Sequence, residues 1–425
     1  MRSAEATDLL DGYRALIDAN LERWHVLFQE LIRIPSYFEG EQEIVRKVSQ
    51  HIESLGVEVN RVTHVAETLR ELPTAQYPIS ERAERCSLVA RIRGSGGGRS
   101  LVINTHLDVV PEGDPSSWTY PPFSGHIDRE RNIIYGRGAM DDKAGLTASL
   151  AILEILSQSD RRLPGDVLFQ YVLEDEITGN GSLLCLEAGW GGDGALIMDG
   201  TRMDKAINQH AGQLQFGITL KGKPASVSVS HMGTNAAEMM ARLVIHLREA
   251  VFAQNEQRLS PWTRFPSPYQ LVVQKIESQG AQLTVPELAV AQCYVTFPPQ
   301  YELATMREFL QRQVRLFAAS HDLPAEPQLE WNGFATEPVS ADTQELERVL
   351  QASATRLGMA PIDVGPSTGT SDMRHFSLAG IPCMLYGPGN GYNPHRPDEH
   401  YYLDDLPRII LFYLAFVNGW CGARG

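Results

Sequence analysis

The chain has 425 residues, which exceeds one ordinary domain, and 43% of them are hydrophobic, so we expect two domains with sizeable cores. The formal net charge of −15 disfavours a nucleic-acid backbone or an anionic membrane surface as a partner, and it is compatible with cation binding.

Apolar periodicity predicts the first elements of the chain. Apolar residues three and four apart predict helices at 9–34 and 41–55, followed by a short strand and a charged loop. The segments CSLVARIRG and RSLVINTHLD each read as a strand. Between them the glycine-rich segment 94–98 lacks the GK[ST] ending of a phosphate-binding loop, so it predicts a hairpin turn.

The remaining elements predict two kinds of architecture. Helix 144–158, strand 167–173, helix 182–188 and strand 195–198 alternate, which is typical of βαβ units in a mostly parallel sheet. From residue 213 the pattern changes to the strands QLQFGITLKGK and SVSVS, helix 235–250, strand 289–296, helix 304–320 and strand PQLEW. The first pattern then resumes with helix 343–357, strand 382–386 and helix 406–418. We therefore predict an α/β domain (1–211 and 335–425) interrupted by a smaller α+β domain (212–334).

Cysteine usage and the terminal segments favour a soluble protein of a reducing compartment. The five cysteines are scattered, odd in number and without CxxC spacing, which disfavours a disulfide framework or a thiolate zinc site. The N-terminal MRSAEATDLL has no apolar signal-peptide core. The apolar stretch IILFYLAFV near the C-terminus is far shorter than the roughly 20 residues that span a bilayer. We therefore expect a cytoplasmic location.

Side chains that can bind metals follow the apolar runs of the α/β part. In chain order they are His106 and Asp108, Asp141 and Asp142, the cluster Glu174, Asp175 and Glu176, then Asp199 and His395. Ligands of open α/β sheets bind outside the carboxyl ends of the strands. Imidazole and carboxylate groups suit zinc and similar first-row metals. The sequence therefore predicts a metal site at this edge of the sheet.

Each of these residues alone has a simpler interpretation. A strand-end histidine is more often a surface or capping residue than a ligand. Asp199 stands before a glycine, as turn-forming aspartates do, and Asp141 and Asp142 can cap the helix that follows them. Their coincidence at one edge of one inferred sheet favours the metal site over these separate explanations.

Four segments, HLDVVP, GRGAMDDKAG, EDE followed by TGNG, and PHRPDEH, resemble the signature segments of the M20 metallopeptidases. The likeness covers nearly the whole chain in order, including the inserted domain. It implies two divalent metal ions, usually zinc, with cobalt or manganese as alternatives. Its motifs place His106 and Asp199 on one ion and Glu176 and His395 on the other, with Asp141 bridging them. The inserted domain would be a lid that mediates a homodimer.

The resemblance also implies a mechanism. The metal ions would supply a hydroxide-like water near neutral pH as the nucleophile for the amide carbonyl. The base is the acid before the glutamate ligand, which is Asp175 in this chain, and it returns the proton to the leaving amine. Asp108 would accept a hydrogen bond from His106 and fix the orientation of that ligand. The products are a carboxylate and an amine.

Two positions depart from the pattern of the family. Asp175 stands where the family has glutamate, so its carboxylate reaches roughly 1.5 Å less far, and a misplacement of about 1 Å can cost a hundredfold in rate. Three outcomes are open. Either the backbone stands closer to the site and compensates for the shorter side chain, or Glu174 acts as the base instead, or the reaction is slower. In KGKPASVSVSHMGTNA, Ser226 stands where a family histidine helps to hold the oxyanion, and His231 follows five residues later.

The residues that would bind substrate are less clearly defined. Phe297 stands where many members have an arginine, so a clamp on a substrate carboxylate would fall to Arg374. The alternative for Arg374 is an internal ion pair with a neighbouring acid. Gly369, in the segment STGT, would let the backbone approach the substrate.

Three functions compete. The leading hypothesis is a dimeric two-metal amidohydrolase that cleaves an N-acyl amino acid or a small peptide with a free carboxylate. The second keeps the metal site but uses Asp175 and Ser226 for another amide or C–N transformation in a specialised pathway. The third is a non-catalytic metal-binding scaffold. The double change Asp175→Glu plus Ser226→His discriminates the first two, because it restores both family groups.

Overall fold

The computed structural model describes residues 2–82, 84–321, 323–390 and 393–422. The chain divides into two compact units, of which the larger comprises Met1–Asn208, Ala341–Gly365 and Ser371–Gly425 and the smaller comprises Gln209–Ser340 and Pro366–Thr370. That these units are the folding domains 1–211 with 335–425, and 212–334, stays a prediction.

The helices are α1 (Arg2–Ile32), α2 (Gln42–Ser54), α3 (Ala66–Glu71), α4 (Lys143–Ser157), α5 (Asn180–Glu187), α6 (Ala236–Ala253), α7 (Leu303–Ser320), α8 (Gln344–Arg356), α9 (Met373–Leu378) and α10 (Asp405–Cys421). The strands are β1 (Val59–Thr63), β2 (Cys86–Ile92), β3 (Leu101–His106), β4 (His126–Asp128), β5 (Ile133–Tyr135), β6 (Val167–Val172), β7 (Ala195–Ile197), β8 (Lys205–His210), β9 (Gly212–Lys221), β10 (Gln270–Gln279), β11 (Leu288–Phe297), β12 (Gln328–Glu330), β13 (Ala335–Thr336), β14 (Val339–Ser340), β15 (Asp363–Ser367), β16 (Cys383–Tyr386) and β17 (His400–Tyr402).

The central sheet of the larger unit is built on parallel strands. Its order is β1-β2-β6-β3-β7-β16-β8, and the four strands β6, β3, β7 and β16 run parallel. β3 and β6 are buried along their whole length, as expected for strands covered on both faces. Strands β1, β2 and β8 pair antiparallel at the two sides of this parallel group. The predicted fold class, an α/β fold with a mostly parallel sheet, is confirmed.

Apolar helices form the core against this sheet. α4 is buried on nearly every face, and α10 buries the apolar stretch that the sequence shows near the C-terminus. Trp24 and Phe28 of α1 and Tyr413 of α10 belong to the same fully buried cluster. In the described parts of the chain no helix combines the length and the apolar character needed to cross a membrane.

The prediction of a hairpin at residues 94–98 is wrong. β6 lies between β2 and β3, so the two strands are not neighbours. The glycine-rich segment instead crosses the end of β6 and bonds to the chain that enters it, through Ser95 N to Leu163 O at 2.8 Å and Gly96 N to Pro164 O at 2.9 Å. A Cβ on Gly98 would lie 2.4 Å from the nitrogen of Gly165, so the glycines serve this close approach.

The smaller unit is an antiparallel sheet with two helices. The strand order is β10-β11-β9-β12, and β11 alternates between buried and half-buried residues, so its buried side packs with α6 and α7 in one apolar cluster. The sequence did not predict β10, whose residues are mostly exposed. The strand predicted for SVSVS is also wrong, because Val227–Met232 form a short 3₁₀ helix in which Val227 and Val229 are exposed.

A small three-stranded sheet was not predicted either. It has the order β17-β5-β4 and pairs His400 with Tyr135. Glu399, directly before β17, accepts a hydrogen bond on its carbonyl from the amide of Gly136 at 2.9 Å. This sheet therefore ties the PHRPDEH segment to the GRGAMDDKAG segment.

Candidate metal centre

The carboxyl ends of the parallel strands bring the predicted metal ligands to one edge of the sheet. His106 is the last residue of β3 and is in register with Val172, the last residue of β6. Glu176 follows β6, and Asp199 follows β7 on the other side of β3. His395 lies in the segment between β16 and β17. The arrangement is the one expected for a ligand site of an open α/β sheet.

The five predicted ligands form a continuous chain of short distances. The Nε2 atom of His106 lies 2.9 Å from Asp141 Oδ1 and 3.8 Å from Asp199 Oδ1. The Nε2 atom of His395 lies 3.3 Å from Asp141 Oδ2 and 3.0 Å from Glu176 Oε2. Asp141 therefore presents one carboxylate oxygen to each imidazole. This is the position that a bridging carboxylate needs, although the assignment of each residue to one of two ions stays a prediction.

Crowded, buried carboxylates shift the pKa values of the site. Burial and then the neighbouring Asp141 raise the pKa of Glu176 to about 8. Burial likewise raises the pKa of Asp199. Burial also acts to raise the pKa of Asp141, but its bonds to the two histidines outweigh burial and lower it. Hydrogen bonds to Asp141 and Glu176 raise the pKa of His395 to about 10. These shifts reflect the crowding of carboxylates and imidazoles in one buried place.

The donor set fits a divalent metal ion. His106, Asp141 and Glu176 each offer a ligand atom, and these atoms all lie within 4.8 Å of one another. Two imidazoles with three carboxylates suit zinc, cobalt or manganese. Binding of such an ion requires neutral imidazoles and ionised carboxylates, so it would release the protons that these groups share.

Asp108 lies beside His106, but its carboxylate is not the closest partner of the ring. The Nδ1 atom of His106 lies 3.0 Å from the backbone carbonyl oxygen of Asp108 and 3.7 Å from its Oδ1 atom. The Asp108 Oδ2 atom accepts a hydrogen bond from the amide of Glu176 at 3.3 Å. The carbonyl therefore orients the imidazole in this structure, and the carboxylate supports the loop of Glu176.

The three acids after β6 have different surroundings. Glu174 is fully buried and bonds to Arg85, to Thr178 and to His64, whose Nδ1 atom lies 3.1 Å from its Oε1 atom. Asp175 is half-buried, and burial raises the pKa of its carboxyl although His106 acts against this. The contacts of Glu174 therefore point away from the predicted ligands, and its role as an alternative base has no geometric support.

Sequence reasoning missed two residues that hold Asp141 in place. The Oε1 atom of Glu399 accepts hydrogen bonds from the backbone amides of Met140 at 3.0 Å and Asp141 at 3.2 Å. Its Oε2 atom accepts one from the guanidinium of Arg137, and both side chains are buried. Glu399 lies in the PHRPDEH segment and Arg137 in the GRGAMDDKAG segment. A charged residue within each motif was therefore the feature of the sequence that could have indicated this pair.

Arg374, the predicted substrate residue of the larger unit, bonds to other residues of the chain. The buried guanidinium of Arg374 donates to the carbonyls of Thr178 at 2.7 Å and Ser371 at 2.9 Å, and it lies 3.6 Å from Asp372 Oδ1. These contacts favour the internal alternative for Arg374, and its role as a substrate clamp stays a prediction.

The other three predicted substrate residues belong to the smaller unit. Gly369 donates its amide to Ser367 Oγ at 3.1 Å, and a Cβ at this position would meet only that oxygen, at 3.6 Å. Ser226 and His231 are exposed, and Ser226 Oγ lies 3.0 Å from Ser228 Oγ. Their contribution to an oxyanion site, and that of Gly369 to substrate binding, stay predictions.

Comparison with known proteins agrees with the resemblance of the four motifs. A probable succinyl-diaminopimelate desuccinylase of Staphylococcus epidermidis is 24% identical over 411 residues, which cover 89% of this chain and 96% of the relative. An N-formyl-4-amino-5-aminomethyl-2-methylpyrimidine deformylase of Halalkalibacterium halodurans is 25% identical over 369 residues, which cover 80% of this chain and 83% of the relative. The YXEP protein of Bacillus subtilis, a dinuclear metal binding peptidase from the M20 family, has a TM-score of 0.67 at 18% identity and covers 94% of this chain and 98% of its own.

The family assignment rests on a match along most of the chain. The model of peptidase family M20/M25/M40 matches residues 102–419, which include all the predicted metal ligands. The chain therefore belongs to peptidase family M20/M25/M40 and is a metal-dependent hydrolase of C–N bonds.

Proposed function

We propose that the chain is a two-metal amidohydrolase that cleaves the amide bond of an N-acyl amino acid or of a small peptide with a free carboxylate. The observation that carries this proposal is the position of Asp141, whose two carboxylate oxygens lie 2.9 Å and 3.3 Å from the imidazoles of His106 and His395. A carboxylate shared between two sets of donors is the usual feature of two-metal hydrolases.

The residues at the strand ends would hold the metal ions as the motifs imply. His106 and Asp199 would bind one ion, Glu176 and His395 the other, and Asp141 both. When bound, such ions lower the pKa of water and polarise the carbonyl of the scissile amide. Zinc fits this donor set, and cobalt and manganese are the alternatives.

The residues of the chain would supply proton transfer and orientation. The carboxylate of Asp175 would take a proton from the attacking water and return it to the leaving amine. The Asp108 carbonyl would keep the Nδ1 proton of His106 in place, so that Nε2 faces the metal site. Glu399 would hold the backbone of Asp141 through two amide hydrogen bonds.

The smaller unit would complete the enzyme as a lid. We propose that it mediates a homodimer and that Ser226 or His231 helps to hold the oxyanion. Gly369 would let the backbone approach the substrate. The proposed setting is the cytoplasm, with a small-molecule substrate and neither nucleic acid nor membrane as a partner. The acidic net charge of −15 supports this choice of partner.

A second candidate is a specialised amide or C–N transformation at the same metal site. Asp175 is shorter than the glutamate of the family, and Ser226 replaces a histidine, so both catalytic positions outside the metal ligands differ. One relative is named as a deformylase of an aminomethylpyrimidine, which is not an amino acid. This candidate predicts that Asp175→Glu with Ser226→His produces a large gain in peptidase activity.

A substrate panel tests the proposal. Protein stripped with a chelator and reloaded with Zn²⁺, Co²⁺ or Mn²⁺ is assayed for amine release from N-succinyl-diaminopimelate, N-acetyl amino acids, dipeptides and an N-formyl aminomethylpyrimidine. Cleavage that requires metal and is lost in Asp141→Asn supports the proposal. Asp204→Asn, at an exposed aspartate paired with Arg202, is the matched control and should keep full activity. Absence of cleavage with every metal and substrate would sink the proposal.

A further inference from the structure

The loop that carries the proposed base is anchored from outside the metal site. Glu174 directly precedes Asp175, is fully buried, and has a left-handed backbone with φ of 72°. Its carboxylate accepts hydrogen bonds from the hydroxyl of Thr178, in the same loop, and from the guanidinium of Arg85, outside it. His64, also outside the loop, lies 3.1 Å from the same carboxylate. One side chain thus joins the loop to two other parts of the fold.

Arg85 is itself held by a second acid. It precedes β2, is buried, and donates to both carboxylate oxygens of Glu41 at 2.5 Å and 3.2 Å. His64 is fixed in turn, because its Nε2 atom lies 2.9 Å from the hydroxyl of Ser87 on β2. The anchor is therefore a buried, hydrogen-bonded network whose two outer members, Arg85 and His64, are themselves held in place.

The backbone of Glu174 organises the rest of the loop. Its carbonyl oxygen accepts hydrogen bonds from the amides of Ile177 at 3.2 Å, Thr178 at 2.9 Å and Gly179 at 2.6 Å. Asp175 and Glu176 lie inside the turn that these bonds close. A shift of Glu174 would therefore move both of these acids.

Resting on the proposed function, we propose that Arg85 and Glu174 are positioning residues that hold the backbone of Asp175 at the distance its short side chain requires. An aspartate base has one methylene less than a glutamate, so its carboxylate reaches the water only if the backbone stands closer. A rate can change about a hundredfold for a misplacement of 1 Å, so a loop that carries a short base needs a firm anchor.

Stability alone is a weaker explanation for this network. A buried ion pair loses solvation on burial and is often no more stabilising than apolar residues of the same volume. Three residues earlier, the exposed Arg82 pairs at 3.1 Å with the half-buried Glu39, which offers a comparison with the same chemistry outside the network. A positioning role and a purely structural role make different predictions. Only if Glu174 positions the loop should the effect of lengthening the side chain at Asp175 depend on whether Glu174 is intact.

A double-mutant cycle in kcat tests that link. With the best substrate of the panel described above and saturating Zn²⁺, Asp175→Glu should lower kcat about tenfold or more, because the longer side chain overshoots from a fixed backbone. In a Glu174→Gln background the same change should cost less than about threefold, because the freed loop can retreat. In an Arg82→Gln background the full cost should remain. KM should change little throughout. If Asp175→Glu lowers kcat by the same factor in the Glu174→Gln background as in wild type, the inference is overturned.

Thr178→Val serves as the milder second variant. It removes the hydroxyl that donates to Glu174 and accepts from the amide of Asn180 at 3.2 Å, and it leaves the Glu174 carboxylate in place. It therefore keeps the test available if Glu174→Gln does not fold. A smaller cost of Asp175→Glu in this background supports the inference, and an unchanged cost opposes it.

Hydrogen exchange provides a readout that does not depend on activity. In metal-free protein, Glu174→Gln should speed exchange of the amides of Thr178 and Gly179 by roughly tenfold or more, and Arg82→Gln should leave it unchanged. If these two amides exchange at the same rate in Glu174→Gln as in wild type, Glu174 does not anchor the loop, even if the enzyme is active. Faster exchange in a chain that cleaves no panel substrate would uphold the anchor and refute the proposed function instead.

Discussion

Replacement of Glu399 by glutamine tests whether a buried carboxylate holds the proposed bridging residue. Glu399 has no solvent exposure, and its carboxylate accepts three hydrogen bonds, from the amides of Met140 and Asp141 and from the guanidinium of Arg137. A glutamine of nearly the same shape keeps one carbonyl oxygen for the two amides. It turns an amide NH₂ group toward Arg137, where the carboxylate accepted a hydrogen bond before.

The expected cost follows from the burial of Arg137. Its side chain is 2% exposed, so its positive charge would lose its partner without gaining water. Removal of one member of a buried ion pair costs about 3–5 kcal/mol. The two amide hydrogen bonds, worth about 1 kcal/mol each, can be kept by the glutamine oxygen. We therefore expect Glu399→Gln to lower the free energy of unfolding by about 3 kcal/mol, at the lower end of that range.

Urea unfolding of the metal-free protein at pH 7, followed by tryptophan fluorescence and circular dichroism, measures this loss. Glu30→Gln is the matched control, because Glu30 pairs with Lys47 at 2.6 Å with both side chains about 40% exposed, and we expect a change below about 1 kcal/mol. Zinc titration should show a 10- to 100-fold weaker affinity in Glu399→Gln, since the support of a ligand is lost. A stability within 1 kcal/mol of wild type together with unchanged zinc affinity would refute the reasoning.

Three further predictions concern the same edge of the sheet. Zn²⁺ at a hundredfold excess over its Kd should stabilise the protein by about 2.7 kcal/mol in scanning fluorimetry, and Asp141→Asn should remove this effect. Asp108→Asn should still bind zinc and lose less than about tenfold in kcat, because the backbone carbonyl that orients the imidazole is kept; loss of the metal would contradict this. Gly179→Ala should destabilise by about 2 kcal/mol or more in urea, because its Cβ would lie 2.0 Å from the guanidinium of Arg374. Gly189→Ala, with φ of 83° and no neighbour within 4 Å, should cost only about 1 kcal/mol.

Long elements with a clear period could be predicted from the sequence, and short or exposed ones could not. α2 repeats its buried residues three and four apart, and α4 and β6 are continuous apolar runs, so local pattern and tertiary burial agree. The strands of the β17-β5-β4 sheet have three residues each, which is too short for a period to show. β10 is mostly exposed, so no apolar alternation marks it.

The glycine-rich segment 94–98 shows why a correct local reading can give a wrong topology. A turn was predicted there, and the chain does turn between β2 and β3. Neighbouring strands in sequence need not pair, and in this sheet β6 is inserted between the two, as Leu88 pairs with Tyr171 and Val102 with Leu168. The choice of partner depends on contacts between residues 66 and 83 positions apart, which a local pattern does not carry.

The predicted metal ligands are easier to identify from the sequence than the residues that hold them in place. The proximity of the predicted ligands could be foreseen because the ends of parallel strands place residues such as His106 and Asp199 at one edge, whatever lies between them in the chain. Arg85 and His64 reach Glu174 from about 90 and 110 residues away, and no motif spacing records that contact. Arg374 shows the converse case, since its guanidinium bonds to the carbonyl of Thr178 across 196 residues, a contact that the motif around it does not record.

The residues that hold the two loops of the site are arranged in the same way. Asp141 is held through Glu399 with Arg137, and the loop of Asp175 is held through Glu174 with Arg85, so a buried arginine–glutamate pair stands behind each loop. In both pairs the glutamate bonds to backbone or hydroxyl groups of the loop as well as to the arginine. Such pairs contribute little net stability, but they penalise any displacement strongly, because a shift would leave a buried charge without its partner. Crowded acids repel one another, so their loops need this resistance to movement whenever the cation that would balance them is absent. We therefore expect the two pairs to hold these loops in place in the metal-free protein as well, so that metal binding need not organise them.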